Sequence, residues 1–358
     1  MVRATADTPA EPRGRRPGHP TILDVARRAG VSKSLVSLVM RGSAQVSEER
    51  REAVLRAAEE LRYRPNAMAR SLVRQRSFVV GVMLSDLHNP YFTEVVDGVE
   101  DEAIAAGYRA LFNTGSRTFE RESEALETLL QLRTDGVILA APVLGTAEIV
   151  AAAATVPVVL LARHSRSPAI DSVTNDDRAG AHLAVDHLVE LGHVAIAHID
   201  GGAGAGATAR RTGYSQAMRR HGLAERIRVI PGAYTEEGGA AGVVRMLSDE
   251  APPTAVFVAN DLAAVGALHA LEEHGLRVPA DVSVIGYDNT ALAALGHIDL
   301  TTVHQPRREM GATAVRLLLE RLDGDRVTAR HEVVAPRLVV RGTTAPPGLV
   351  RNQEEGGR

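Results

Sequence analysis

The chain has 358 residues, 45% of them hydrophobic and 24% charged, with no cysteine and no tryptophan. That suffices for two or three domains with substantial cores. It excludes wholesale disorder, a disulfide framework, a Cys-ligated metal and a catalytic thiol. The net charge of −3 hides an asymmetry: residues 1–76 hold 16 of the 41 Lys and Arg but 8 of the 44 Asp and Glu. A basic head on an acidic body points to nucleic acid as a partner of the head. Six Tyr and five Phe are too few for the stacking platforms of RNA-binding surfaces. No apolar run of membrane-spanning length and no leader-type N-terminus is present, so a cytoplasmic protein without membrane contact is expected.

Residues 1–20 are rich in Pro, Gly, Arg and Ala and read as a disordered basic arm. Thr21, with Asp24 three residues on, starts a helix that Gly30 ends. Ser32 caps a second helix over 33–40, with Val36, Val39 and Met40 facing inward. Ser47 caps a third over 48–61, with apolar Val54, Leu55, Ala58 and Leu61. Two short helices joined by a Gly turn and backed by a third form a helix-turn-helix over 21–64. Residues 65–76 form a linker in which 66–72 has room for two helical turns, too few to be stable alone.

From Phe78 the pattern changes to apolar runs of strand length alternating with amphipathic helices. Strands are predicted at 78–84, 109–113, 136–140 and 156–161, with helices at 91–106, 120–133 and 148–154. A second round follows, with strands at 194–199, 228–231, 255–259 and 283–287 and helices at 178–191, 209–220, 236–247 and 263–274. Strands at 300–304 and 333–340 flank a helix at 307–322 and cross back between the two rounds. The fold class is thus an α head plus α/β: two doubly wound parallel-sheet lobes over 77–343, then a disordered tail over 344–358. Ligands of such sheets sit outside the carboxyl ends of the strands, here in the cleft between lobes.

Enzymatic and metal motifs are missing. The Gly-rich stretch 201–206 is not a dinucleotide fingerprint, and there is no Walker loop, GxSxG or HExxH. His182 and His187, like His193 and His198, are five apart and share no helix face. No catalytic residue, metal or cofactor is expected. A periplasmic-type ligand binder without a regulatory role is the alternative, disfavoured by the attached head.

Three blocks carry a family resemblance: Thr21-Ile-Leu-Asp-Val-Ala-Arg-Arg-Ala-Gly-Val-Ser, Val46-Ser-Glu-Glu-Arg-Arg, and Tyr63-Arg-Pro-Asn-Ala-Met-Ala-Arg-Ser-Leu. Asn89-Pro-Tyr-Phe, Leu191-Gly-His, Ala259-Asn-Asp and Gly286-Tyr-Asp add to it. The chain resembles the LacI/GalR (lactose-repressor) family of transcription regulators over residues 21–343. The resemblance implies a DNA-binding regulator, a repressor in the first instance, whose two lobes are of periplasmic-binding-protein type. It implies a homodimer on a near-palindromic double-stranded operator, controlled by a small-molecule effector.

By position, the second helix reads DNA. Lys33 (the only lysine in the chain), Ser34, Leu35, Ser37 and Leu38 are its candidate reading residues, with Arg41 and Gln45 just beyond. Many relatives carry an arginine where Leu38 stands. Thr21, Ser32, Ser37, Asn66 and Arg70 are candidate phosphate contacts. The resemblance makes 66–72 a hinge helix and Leu72 a minor-groove wedge; a plain linker with Leu72 packed on the body is the other reading. For the effector, it implies Asp86, Tyr91, Phe92, Arg163, Arg210, Tyr234, Asn260, Asp261 and Asp288. Asp261 also stands where it can cap the following helix. Carboxylates, amides and a guanidinium suit a polyhydroxylated ligand, a sugar or sugar derivative; a purine or other metabolite stands second. Two departures bear on that choice. No aspartate precedes Arg163, and 201–206 is Gly/Ala-rich where relatives carry a polar contact. A tail without heptads predicts a dimer rather than a zipper tetramer.

Overall fold

The computed structural model describes residues 20–40, 43, 45–63, 76–248, 251–324, 326 and 328–348. The basic arm, Arg41, and the hinge with Asn66, Arg70 and Leu72 lie outside the described residues, as does the tail beyond Gly348. The chain divides into two units, Met1–Ser77 and Phe78–Arg358.

The first unit carries α1 (Ile22–Ala29), α2 (Lys33–Met40) and α3 (Glu48–Glu60). The Asp24 carboxylate reaches back to accept from the Thr21 amide at 2.9 Å and the Thr21 hydroxyl at 2.7 Å, which fixes the start of α1. Gly30, at φ 68°, closes it in the left-handed region. Ser32 Oγ accepts from the Leu35 amide at 3.2 Å and opens α2. Val25, Val36 and Val54 are fully buried at the centre, with Val39, Ala57 and Ala58 around them. Leu55, one of the apolar residues of α3, is 48% exposed. Val54, Ala57 and Ala58 share the buried face, and the residue one step past Val54 is turned about 100° away.

The second unit holds two six-stranded sheets. The first contains β1 (Val79–Leu84), β2 (Arg109–Thr114), β3 (Gly136–Ala140), β4 (Val158–Leu161), β5 (Ile170–Asn175) and β11 (His331–Val334), in the order β11-β5-β4-β3-β1-β2, all parallel. The second contains β6 (Ile196–Ile199), β7 (Arg228–Ile230), β8 (Ala255–Val258), β9 (Ser283–Asp288), β10 (Thr302–His304) and β12 (Arg337–Val339), in the order β12-β10-β9-β8-β6-β7. Only the β12 edge pairs antiparallel.

Helices cover both faces of each sheet. On the first lie α4 (Tyr91–Ala105), α5 (Phe119–Gln131), α6 (Thr146–Ala153) and α11 (Arg307–Leu322). On the second lie α7 (Asp177–Glu190), α8 (Ala207–Arg220), α9 (Glu236–Leu247) and α10 (Asp261–Glu273). The side-chain alternation of the strands divides each lobe into two cores. On β3, Ile138 and Ala140 pack toward α4 and α11, while Val137 and Leu139 pack toward α5 and α6. On β8, Val256 and Val258 face α9 and α10, while Ala255 and Phe257 face α7 and α8. Each fully buried Leu, Ile or Phe contributes roughly 2 kcal/mol by transfer from water.

The chain crosses between lobes at three places: from β5 into α7, from β10 into α11, and from β11 into β12. The strands expected over 333–340 are β11 and β12, one in each sheet. β5 was not expected: Asp171, Ser172 and Thr174 break up its apolar pattern. Its buried Asp171 accepts from Arg321 Nε at 2.6 Å, Arg326 NH1 at 2.7 Å and the Arg330 amide at 2.7 Å, so a carboxylate takes a position that sequence reads as polar loop. The tail boundary also moves. Residues 344–348 were expected to be disordered, yet Ala345 N donates to Ser283 Oγ at 3.0 Å, and the Ala345 carbonyl lies 2.9 Å from His193 Nε2. These polar anchors hold a segment without hydrophobic periodicity.

Candidate functional site

A cavity of about 260 Å³ lies between the two lobes of the second unit. The residues that line it follow the carboxyl ends of strands. Ser85 and Asp86 follow β1, Ala141 follows β3, and Asn175 ends β5. In the second lobe Gly201 follows β6, Asn260 follows β8, Asp288 ends β9 and Gln305 follows β10. Parallel sheets place ligands at this rim. Asn175, Asp177 and Gln305 stand at two of the three lobe crossings, so the crossings themselves form part of the wall.

Arg210 is the hub. It projects from α8, is buried, and donates from Nε to Asp177 Oδ1 at 3.0 Å and from NH1 to the Ala259 carbonyl at 2.5 Å. NH2 lies 3.9 Å from Asp288 Oδ1. Its guanidinium carbon sits 3.7 Å from the centre of the Tyr287 ring and 5.4 Å from that of Tyr234, a cation–π sandwich. Burial works against the Arg210 charge. Tyr234, Asp177, Tyr287 and Asp288 outweigh it and hold the group above the ordinary arginine value. Asp288 is raised above the usual carboxylate range, chiefly by burial and further by the charge of Asp261; Arg210, Arg307 and Gln305 oppose this. Gln305 Nε2 donates to Asp288 Oδ1 at 2.6 Å.

Tyr234 closes one side. Its hydroxyl donates to the Ala205 carbonyl at 2.8 Å. A Cβ on Gly201 or Gly204 would come within 2.4 Å of its ring, so the Gly-rich stretch is what lets the aromatic wall lie flat on the backbone. Opposite, the Tyr91 and Phe92 rings meet edge to face at 5.1 Å. Three side-chain atoms of the lining are buried without a hydrogen-bond partner among the described residues: Tyr91 Oη, Asn175 Oδ1 and Asn260 Nδ2. Two can donate and two can accept, and each costs free energy unless a ligand or water completes it.

Asp86, Tyr91, Phe92, Arg210, Tyr234, Asn260 and Asp288 all line the cavity. Two expected residues do not, and these are corrections. Arg163 follows Ala162, whose φ of 61° turns the chain. Its NH1 donates to the Pro142 carbonyl at 3.2 Å and to the Leu144 carbonyl, away from the cleft. Asp261 is buried beneath the cleft, where it accepts from Thr290 N at 2.6 Å and Thr302 Oγ1 at 2.5 Å. Asn260, not Asp261, caps α10, accepting from Ala263 N at 3.0 Å. The sequence reading missed Ser85, Asn89, Arg117, Asn175, Asp177 and Gln305. Knowledge of β5 would have signalled Asn175 and Asp177, since both follow from its end.

In the first unit, Lys33 and Ser34 are exposed at the start of α2, as are Thr21, Ser32 and Gln45. Leu35 and Leu38 were expected to point outward. Both are half-buried and pack on the three-helix core, which leaves part of each side chain at the surface. Ser37 is half-buried between them.

The model of bacterial regulatory proteins of the lacI family matches residues 21–66, and that of a periplasmic binding protein-like domain matches 185–344. The HTH-type transcriptional repressor PurR of Erwinia tasmaniensis is 36% identical over 333 residues, spanning 91% of this chain and 97% of that protein. A crystal structure of the lac repressor dimer bound to operator and the anti-inducer ONPF superposes with TM-score 0.81 at 34% identity, covering 92% of this chain and all of the other. A complex of the transcriptional regulator CelR with cellobiose superposes at 0.68 with 31% identity, covering 90% and 99%. No helix among the described residues is long and apolar enough to cross a membrane.

Proposed function

This chain belongs to the lacI family of bacterial regulatory proteins, and we propose that it is a cytoplasmic transcriptional repressor. It binds a near-palindromic operator as a homodimer and responds to an uncharged small molecule, a sugar or sugar derivative, held between the lobes. α2 enters the major groove. Lys33 and Ser34 contact base edges or phosphate, and the exposed parts of Leu35 and Leu38 contact thymine methyls. Leu72 wedges into the central base step.

The observation that carries the ligand reading is the set of buried polar atoms left without a partner, Tyr91 Oη, Asn175 Oδ1 and Asn260 Nδ2. Their residues line a cavity of about 260 Å³ together with Phe92 and Tyr234. Vicinal hydroxyls satisfy donors and acceptors alike, and Tyr234 offers a face to the C–H side of a sugar. The cellobiose complex of a structural relative favours this class. A purine is the second reading, favoured by the PurR relatives and by the amides of Asn175 and Asn260, which match a base edge. Control follows from population shift: a ligand that prefers one lobe arrangement changes DNA affinity only by its differential affinity for the two arrangements.

The test is thermal unfolding of the full chain against separate panels of neutral sugars and of purines. A saturable rise in midpoint with a member of one panel identifies the class. A sugar that binds is expected to change operator affinity as well. A response to purines alone overturns the sugar reading, and silence from both panels overturns the effector reading.

A further inference from the structure

We propose that the first lobe carries a second ligand site, for a phosphate-bearing small molecule, in a cavity at the carboxyl end of β4. This cavity, of about 290 Å³, is separate from the cleft between the lobes. The loop from β4 to β5 forms its rim with Arg163, His164, Ser165, Arg166 and Ser167, and Thr146 of α6 faces it. Ile149, Leu160 and Ile170 make an apolar floor.

The charge of the lining singles it out. Two guanidiniums, an imidazole and three hydroxyls surround the space, and no carboxylate is among them, although the chain beyond residue 76 is strongly acidic. Two neighbouring carboxylates have partners of their own. Asp171 is engaged by Arg321, Arg326 and the Arg330 amide. Glu122, which feels the charge of Arg163, accepts from Ser85 Oγ and from the Val143 and Leu144 amides. Arg163 spends NH1 on the Pro142 and Leu144 carbonyls, which aims the guanidinium and leaves Nε and NH2 without a hydrogen bond among the described residues. Arg166 is exposed and makes no hydrogen bond or ion pair among the described residues. Ser165 is only 8% exposed, and its Oγ accepts from the Ser167 amide at 3.1 Å. Its hydroxyl proton remains to be given to an acceptor. Planar guanidinium forks and hydroxyl donors are the groups that recognise phosphate oxygens.

The cleft has the opposite character. Asp86, Asp177 and Asp288 line it, and its Arg117 and Arg210 face those carboxylates. A phosphate is repelled there and attracted at β4. The two spaces share a wall: Ala162 lines the cleft while Arg163, the next residue, lines the second cavity. Val143, between the two carbonyls that Arg163 holds, also lines the cleft.

The test is calorimetric titration of the full chain at fixed ionic strength with inorganic phosphate, glucose 6-phosphate and glucose. One site per chain is expected for glucose 6-phosphate. Binding of inorganic phosphate alone would assign the site to the free anion. Arg166→Ala is expected to weaken phosphate binding roughly tenfold or more, with Arg166→Lys intermediate and unfolding midpoints unchanged. Ala203→Trp, which fills the cleft, is expected to leave it intact. The proposal is overturned by absence of saturable binding of both phosphates, by equal affinity in Arg166→Ala, or by loss of binding in Ala203→Trp.

Discussion

Arg307 and Glu94 form an ion pair that ties the start of α11 to α4. Arg307 NH2 donates to Glu94 Oε1 at 2.7 Å, and the same nitrogen donates to the Asn289 carbonyl of the second lobe at 2.7 Å. Arg307 is 1% exposed, and Asn289 follows Asp288, which lines the cleft. The guanidinium thus joins both lobes directly behind the cavity. Arg307→Met keeps the bulk and deletes the charge-assisted bonds. It is expected to lower unfolding stability by roughly 2 kcal/mol, the scale of hydrogen bonds to charged groups. Urea denaturation measures this; an unchanged midpoint would show that the pair holds nothing.

Asp288 gives a pH signature. Its folded pKa lies above its unfolded value because of burial first and Asp261 second, against Arg210, Arg307 and Gln305. The folded state therefore binds more protons than the unfolded state across that window, and stability falls as pH rises through it. Asp288→Asn removes this loss. Relative to the parent chain, the variant is expected to gain stability from about pH 4 to about pH 7. A constant difference across that range would rule out the raised carboxylate.

His198 has the opposite sign. Its ring stacks on Phe257 at 4.6 Å, and burial lowers its pKa to about 4. Below the ordinary value of 6.5 the unfolded chain takes a proton that the folded one declines, so stability is lost as pH falls toward 4. His198→Phe is expected to flatten the acid limb of a stability–pH curve, and an unchanged limb would assign acid sensitivity elsewhere.

Much of this architecture was legible because it rests on patterns that the physics enforces locally. The Gly30 turn, the Ser32 cap and the buried Val25, Val36 and Val54 spell a three-helix head. Apolar strands alternating with helices spell two wound lobes. What sequence hid was long-range. β5 was invisible because Asp171 is neutralised by Arg321 and Arg326, about 150 residues away in the chain. The cleft was legible at Tyr91, Arg210, Tyr234 and Asp288. Arg163 was misplaced because the φ of one residue, Ala162, decides which cavity it enters. Asn175 and Gln305 were missed because their role comes from lobe crossings, which no local pattern announces.

The chain has no tryptophan, so Ala203→Trp places a lone indole in the cleft. A neutral sugar that binds the parent chain is expected to leave the emission of this indole unchanged. Unimpaired sugar binding in this variant would move the ligand out of the cleft.

Leu72 lies outside the described residues, and its proposed wedge is testable in solution. Leu72→Ala is expected to weaken operator binding by a few kcal/mol, about the scale of one unstacked base step. Ligand binding to the body should be unaltered. Lys33→Ala is expected to cost roughly 1–3 kcal/mol if the lysine reads a base, and to lower the salt slope by about one if it holds a phosphate. Unchanged operator affinity in both variants would remove these residues from the interface.

Selection of fragmented genomic DNA by the purified full-length chain, followed by sequencing, tests the central claim most directly. Enrichment of a near-palindrome with a fixed centre, its recovery changed by a sugar that also raises the unfolding midpoint, is the predicted result. Recovery of DNA without a shared sequence, with and without sugars, would contradict the account of this chain as an operator-specific repressor.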